Sequence, residues 1–151
     1  MKIADIIAVR RVSIAGNVQS KKRALEHVAG LLAEGTPYLT AAEVFSGLMA
    51  REKIGSTGIG AGIAIPHARM QGADECIGAC VHFPRAVEFE AEDGLPVDLV
   101  FGLLVPERAT AASTALLHDL TIMLGDPVRA AALRAAANEQ ALFRALLDAA
   151  E

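Results

Sequence analysis

The residues best suited to chemistry lie between positions 51 and 67. There the chain reads Arg51-Glu52-Lys53-Ile54-Gly55-Ser56-Thr57-Gly58-Ile59-Gly60-Ala61-Gly62-Ile63-Ala64-Ile65-Pro66-His67. A neutral imidazole is a nucleophile near physiological pH because its free pKa is about 6.5. A phosphoryl group delivered to it brings negative oxygens, which need donors. The stretch offers the amides of a glycine-rich loop around Gly58, the hydroxyls of Ser56 and Thr57, and the planar fork of Arg51. Arg suits the task better than Lys because it holds two oxygens at once. Pro66 fixes its own φ and so helps to pin where His67 begins. These parts suit a phosphohistidine site. They also suit an ordinary surface histidine after a glycine turn, and composition alone leaves both readings open.

The glycine loop matches no common nucleotide or hydrolase pattern. A Walker loop counted from Gly55 needs Lys after Gly60, where Ala61 stands. A dinucleotide fingerprint needs Gly or Ala at 63 or 65, and both positions are Ile. A nucleophile elbow at Ser56 needs Gly in place of Ile54. Cys76, Cys80 and His82 share one strand face by period two, but a metal site needs further ligands. A disulfide between two cysteines four apart on one strand is geometrically poor. Free thiols, no metal and no cofactor are expected.

The elements that must hold these residues follow from period and punctuation. Val12 to Ile14 reads as a short strand closed by Gly16-Asn17. Ser20 caps a helix from Lys21 to about Glu34, with Leu25, Val28, Leu31 and Leu32 at helical spacing. Thr40 and Glu43 form a capping-box pattern before a second helix, which ends near Arg51 to Lys53. Residues 55–62 hold four glycines in eight positions and read as neither helix nor good strand. Ile63 to Ile65 reads as a strand ended by Pro66-His67. Cys76 to Phe83 is a strand buried on both faces, Val87 to Glu90 a half-exposed one, and Val97 to Val105 a central one. Three helices follow: from Thr110 to Leu124, from Pro127, and after the Asn138 cap. Strands flanked by helices on either side in sequence predict an α/β fold with one mixed sheet and helices on both faces.

The chain has 151 residues, 53% of them hydrophobic and 21% charged, which excludes a disordered protein. The length and the lack of a linker or repeat predict a single domain over residues 1–151. No run approaches the roughly 18 apolar residues of a membrane helix, so no membrane insertion is expected. Asp5 within the first apolar stretch, with Arg10 and Arg11 after it, is the wrong charge order for a secretory signal. A cytoplasmic location is expected. The net charge of −4 and 4% aromatic content argue against nucleic-acid binding. Residues 1–23 are the exception, with Lys2, Arg10, Arg11, Lys21, Lys22 and Arg23 against Asp5 alone. That edge reads either as a solvated helix start or as a dock for an acidic partner.

The 51–67 stretch resembles the signature of phosphotransferase-system enzyme IIA domains of the fructose/mannitol type, nearest to their nitrogen-regulatory branch. Support extends to Gln19 through Glu26, Pro96 through Phe101, Leu103 through Pro106, and Leu133 through Ala136, so the resemblance covers nearly the whole chain. It implies a mixed sheet flanked by helices. It implies that His67 accepts a phosphoryl group from a phosphohistidine carrier protein, with Arg51 at the family's basic position beside it. It further implies regulation of partner proteins, such as transporters or sensor kinases, by phosphorylation state.

There are departures. Ala61 stands where the branch often has Asn, and Ala68-Arg69 where Gly-Lys is frequent. Arg69 keeps the positive charge. The family's second histidine falls by two counts on Ser113. His118 lies five residues on, roughly 140° around the helix, and is a poor replacement. His27 reads as a helix-flank residue and His82 as a strand histidine with a local hydrogen bond. Three functions remain: a phosphoryl-accepting regulator, an enzyme IIA passing phosphate to a sugar permease, and a regulator that works by contact without phosphorylation.

Overall fold

The computed structural model describes residues 2–108 and 110–151. Two 3-10 turns, Ile3–Asp5 and Val9–Arg11, lead into strand β1, Val12–Ile14. Helices α1 (Lys21–Ala33) and α2 (Ala41–Ile54) follow, then β2 (Gly58–Gly60), β3 (Ile63–Ala64), β4 (His67–Met70), β5 (Ile77–Val87) and β6 (Val97–Pro106). Helices α3 (Thr110–Gly125), α4 (Pro127–Arg134) and α5 (Glu139–Ala149) close the order. The caps are the expected ones. Ser20 accepts from the Arg23 amide, Thr40 and Glu43 form a full capping box, and Asn138 accepts from the Ala141 amide.

The strands make one mixed six-stranded sheet in the order β1-β5-β6-β3-β2, with β4 also on β6. β5 and β6 are antiparallel, whereas β1 on β5 and β3 and β4 on β6 are parallel. Alternate residues of β6 feed separate cores. Leu99, Phe101, Leu103 and Val105 pack with Leu116, Leu120, Leu133, Leu142 and Leu146 of α3–α5. Val100 and Leu104 pack with Leu25, Val28, Leu32, Val44 and Leu48 of α1 and α2. Helices therefore cover both faces, as the sequence predicts.

Three strand expectations need correction. Gly58–Gly60 does form a short strand, paired antiparallel to β3 with a register shift between Gly58 and Gly60. Val87 to Glu90 is not a separate strand. β5 runs unbroken to Val87, and beyond it Phe89 is buried while Glu90 turns to φ 56°. The alternation there reflects burial, not a ladder. Finally, the chain does not leave the sheet at Pro66. Ile63 pairs with Leu99 and His67 with Leu103, so β3 and β4 keep one register against β6 across the proline. Pro66 has no N–H, but its carbonyl accepts from the Leu103 amide at 2.9 Å.

The turn between β2 and β3 has three successive positive φ angles: 94° at Gly60, 57° at Ala61 and 81° at Gly62. The Ala61 peptide groups are held from both sides. Its N–H donates to Asp93 at 2.9 Å, and its carbonyl accepts from Arg134 at 2.7 Å. Arg134 is itself fixed by Asp98, with Nε 3.0 Å from both carboxylate oxygens. A left-handed alanine costs roughly 1–2 kcal/mol that glycine avoids. Ala61→Gly should therefore raise stability by about 1 kcal/mol, visible as a higher urea midpoint at unchanged slope.

Candidate functional site

The site forms where the end of α2, the glycine loop and the start of β4 meet α3. An open cavity of about 250 Å³ is lined there by Arg51, Ile65, His67, Leu117 and Thr121, with residues 56–59 as its rim. His67 is half-buried. Its Nδ1 lies 2.9 Å from the Ile65 carbonyl oxygen. A carbonyl only accepts, so Nδ1 carries the proton and Nε2 the lone pair.

Burial lowers the His67 pKa below the ordinary imidazole value, because charging a desolvated ring is costly. The hydrogen bond to Ile65 acts in the opposite sense. Among the nearby charges Arg51 and Arg69 also lower it, while Glu52 raises it. The net direction is down. At neutral pH the ring is uncharged and Nε2 is nucleophilic.

Arg51 sits in the last turn of α2. Its Nη1 donates to the Gly55 carbonyl at 2.8 Å, which spends one of its five donors and fixes the guanidinium at the cavity. Ser56, Thr57 and Gly58 also border the cavity, but their polar groups are engaged within the protein. Ser56 Oγ donates to the Phe89 carbonyl at 2.9 Å and accepts from the Gly58 amide at 3.1 Å. Thr57 gives both its amide and its hydroxyl to Glu52. These hydroxyls hold the loop in shape here, where sequence reasoning expects them to face phosphate. Among the described residues Arg51 is the cation that lines the cavity.

Arg69 is two residues beyond His67 on the same strand face, exposed, with Nη2 3.3 Å from Ser113 Oγ. Ser113 is 1% exposed. The α3 side chains that line the His67 cavity are Leu117 and Thr121, one and two turns further on. Ser113 thus meets the His67 surroundings through Arg69. His118 is exposed and does not line the cavity. His27 Nε2 lies 2.9 Å from Ser13 Oγ, and His82 Nε2 lies 3.9 Å from Asp98. Cys76 and Cys80 are buried free thiols, and burial pushes Cys80 up to about 12. No group of three or more metal-ligating side chains occurs among the described residues.

Sequence reasoning misses two residues behind the loop, Lys21 and Glu52. Lys21 Nζ lies 2.9 Å from Glu52 Oε2. A signal was present in the helical periods. Glu52 continues the Val44–Leu48 stripe at a spacing of four, and Lys21 precedes Leu25 by four. Both are charged residues on apolar stripes, where a charge demands a partner.

Comparison with known proteins places this geometry. Residues 5–149 match the family described as "Phosphoenolpyruvate-dependent sugar phosphotransferase system, EIIA 2". A nitrogen regulatory protein of Pseudomonas aeruginosa is 46% identical over 129 residues, covering 85% of this chain and 84% of the relative. One from Bradyrhizobium diazoefficiens is 40% identical over 146 residues, covering 97% and 95%. The crystal structure of nitrogen regulatory protein IIA-Ntr from Neisseria meningitidis superposes with a TM-score of 0.89 at 37% identity, covering 95% of this chain and 98% of that one. With a match that spans both helical layers and the sheet between them, the chain belongs to the EIIA 2 family of the phosphoenolpyruvate-dependent sugar phosphotransferase system.

Proposed function

We propose that this protein is a cytoplasmic nitrogen-regulatory enzyme IIA whose His67 accepts a phosphoryl group from a phosphohistidine carrier protein. The two phosphorylation states then engage partner proteins differently. The observation that carries the reading is the Nδ1–H···O=C bond to Ile65, which leaves Nε2 unprotonated beside Arg51. The identity to nitrogen regulatory proteins over most of both chains favours the regulatory branch over sugar uptake.

The step balances without a proton leaving either ring. The donor is the carrier's N-phosphoimidazolium, whose other ring nitrogen holds a proton. His67 Nε2 attacks phosphorus, the N–P bond to the carrier breaks, and the carrier's imidazole departs neutral. His67 becomes the N-phosphoimidazolium, its Nδ1–H still bonded to Ile65. Positive charge on the ring strengthens that bond as transfer proceeds. Arg51 meets the phosphoryl oxygens and Arg69 adds positive potential from the strand. Ile59 at the cavity rim is 40% exposed, and Ile54 at the end of α2 is 83% exposed. Exposed apolar groups around a polar centre suit a protein partner better than a free sugar.

Incubation with phosphorylated carrier protein tests the reading. Wild type should take up label in a form that is acid-labile and alkali-stable, and His67→Ala should take up none while keeping its unfolding transition. Undiminished labelling of His67→Ala would overturn the assignment.

Arg51→Ala should slow transfer about ten- to a hundredfold, because one charge-assisted contact is worth roughly 1.5–3 kcal/mol. Arg51→Lys should recover part of that loss, since the charge stays and the fork goes. Rapid-quench rates measure both.

A further inference from the structure

We propose that Lys21, at the first turn of α1, is a positioning residue for phosphoryl acceptance. It pins the buried Glu52 carboxylate, and through it the loop that orients His67, and it offsets part of a negative charge that would oppose the incoming phosphoryl group. This rests on the reading of His67 as the acceptor.

The geometry is a continuous chain of contacts from one helical layer to the imidazole. Lys21 Nζ lies 2.9 Å from Glu52 Oε2, and Glu52 accepts from both the amide and the hydroxyl of Thr57. The Thr57 carbonyl accepts from the Ile65 amide at 3.0 Å. The Ile65 carbonyl accepts from His67 Nδ1 at 2.9 Å. A second branch tightens the same loop. Lys21 Nζ also donates to the Phe89 carbonyl at 3.2 Å, the carbonyl that takes the Ser56 hydroxyl. The ammonium lies 5.2 Å from the centre of the buried Phe89 ring, a cation–π contact. The ammonium thus has three contacts with the loop's supports, and neither Glu52 nor Phe89 lines the cavity.

Burial makes the pair consequential. The Glu52 side chain is 3% exposed and that of Lys21 is 19% exposed. Without the ammonium, Thr57 still donates its amide and hydroxyl to that carboxylate, but a charge that deep is left uncompensated. The charged groups that act on His67 are Arg51 and Glu52 from α2 and Arg69 from its own strand. From α3 the cavity receives the uncharged Leu117 and Thr121. Of the three charges Glu52 alone is negative. Without Lys21 its field would favour protonation of His67, which consumes the Nε2 lone pair, and would repel the phosphoryl oxygens.

The test uses Lys21→Met, Lys21→Arg, Glu52→Gln and the double variant Lys21→Met/Glu52→Gln. Two readouts are taken: the initial rate of phosphorylation by phosphorylated carrier across pH, and the NMR titration of the His67 imidazole. Lys21→Met should transfer about ten- to a hundredfold more slowly, as a misplaced reacting group does. Its His67 titration, and the acid limb of its rate profile, should move to higher pH. Glu52→Gln should move the titration the opposite way. Lys21→Arg should restore most of the rate. The double variant should titrate near wild type, because the uncompensated charge is gone. A merely structural role predicts no such opposed shifts.

A folded Lys21→Met with wild-type rate and titration would overturn the proposal. If Lys21→Met does not fold, Glu52→Gln decides: a titration unchanged or moved to higher pH overturns it. Absence of transfer to the wild type would instead remove the acceptor reading. Transfer to the wild type with no effect at Lys21 removes only the role of Lys21.

Discussion

A strand that breaks without changing register governs the rest of this structure. Residues 63–70 run parallel to β6 with the same pairing before and after Pro66. The proline brings no N–H of its own to the ladder, and at this break the Ile65 carbonyl accepts from the imidazole two residues later. One hydrogen bond thus fixes the tautomer and the direction of His67. The glycine loop joins the same break through the Ile65 amide and the Thr57 carbonyl. The helices then serve to hold this interrupted strand on β6.

Much of the fold was legible because its signals are local. Ser20, Thr40 and Asn138 announce helix starts through the amides that they cap, and the structure uses each of them so. The central strands show as apolar runs because both faces are covered. What could not be read locally depended on partners distant in sequence. Gly58–Gly60 carries two glycines in three residues, which disfavour a strand, and it pairs because β3 offers a ladder. Residues 88–90 alternate like a strand yet lie beyond the end of β5 at Val87, and Glu90 is left-handed.

The candidate site divides in the same way. His67 and Arg51 were legible from residue type and spacing, and the structure brings them to one cavity. Ser56 and Thr57 were legible as polar loop residues, but not their use, since Phe89 and Glu52 claim them through contacts that spacing does not reveal. The basic N-terminal edge loses two of its six charges for a related reason. Lys21 turns inward to Glu52. Arg11 is buried and donates to the carbonyls of Gly78 and Ile6 at 3.0 and 3.1 Å. Two of the charges that suggest a docking surface are internal fastenings. A count of charge along the chain carries no information about burial.

The two cores on opposite sides of the sheet give the cavity a mechanical character. Its loop wall hangs from α1 and α2 through Lys21 and Glu52, while its opposite wall, Leu117 and Thr121, belongs to α3. His67 stands on the strand between them. The cavity is a seam between the two helical layers. Under the proposed function, a phosphoryl group on His67 would touch both layers at once and act as a rivet between them. The load that it places on the protein is shared by surfaces on opposite faces of the sheet.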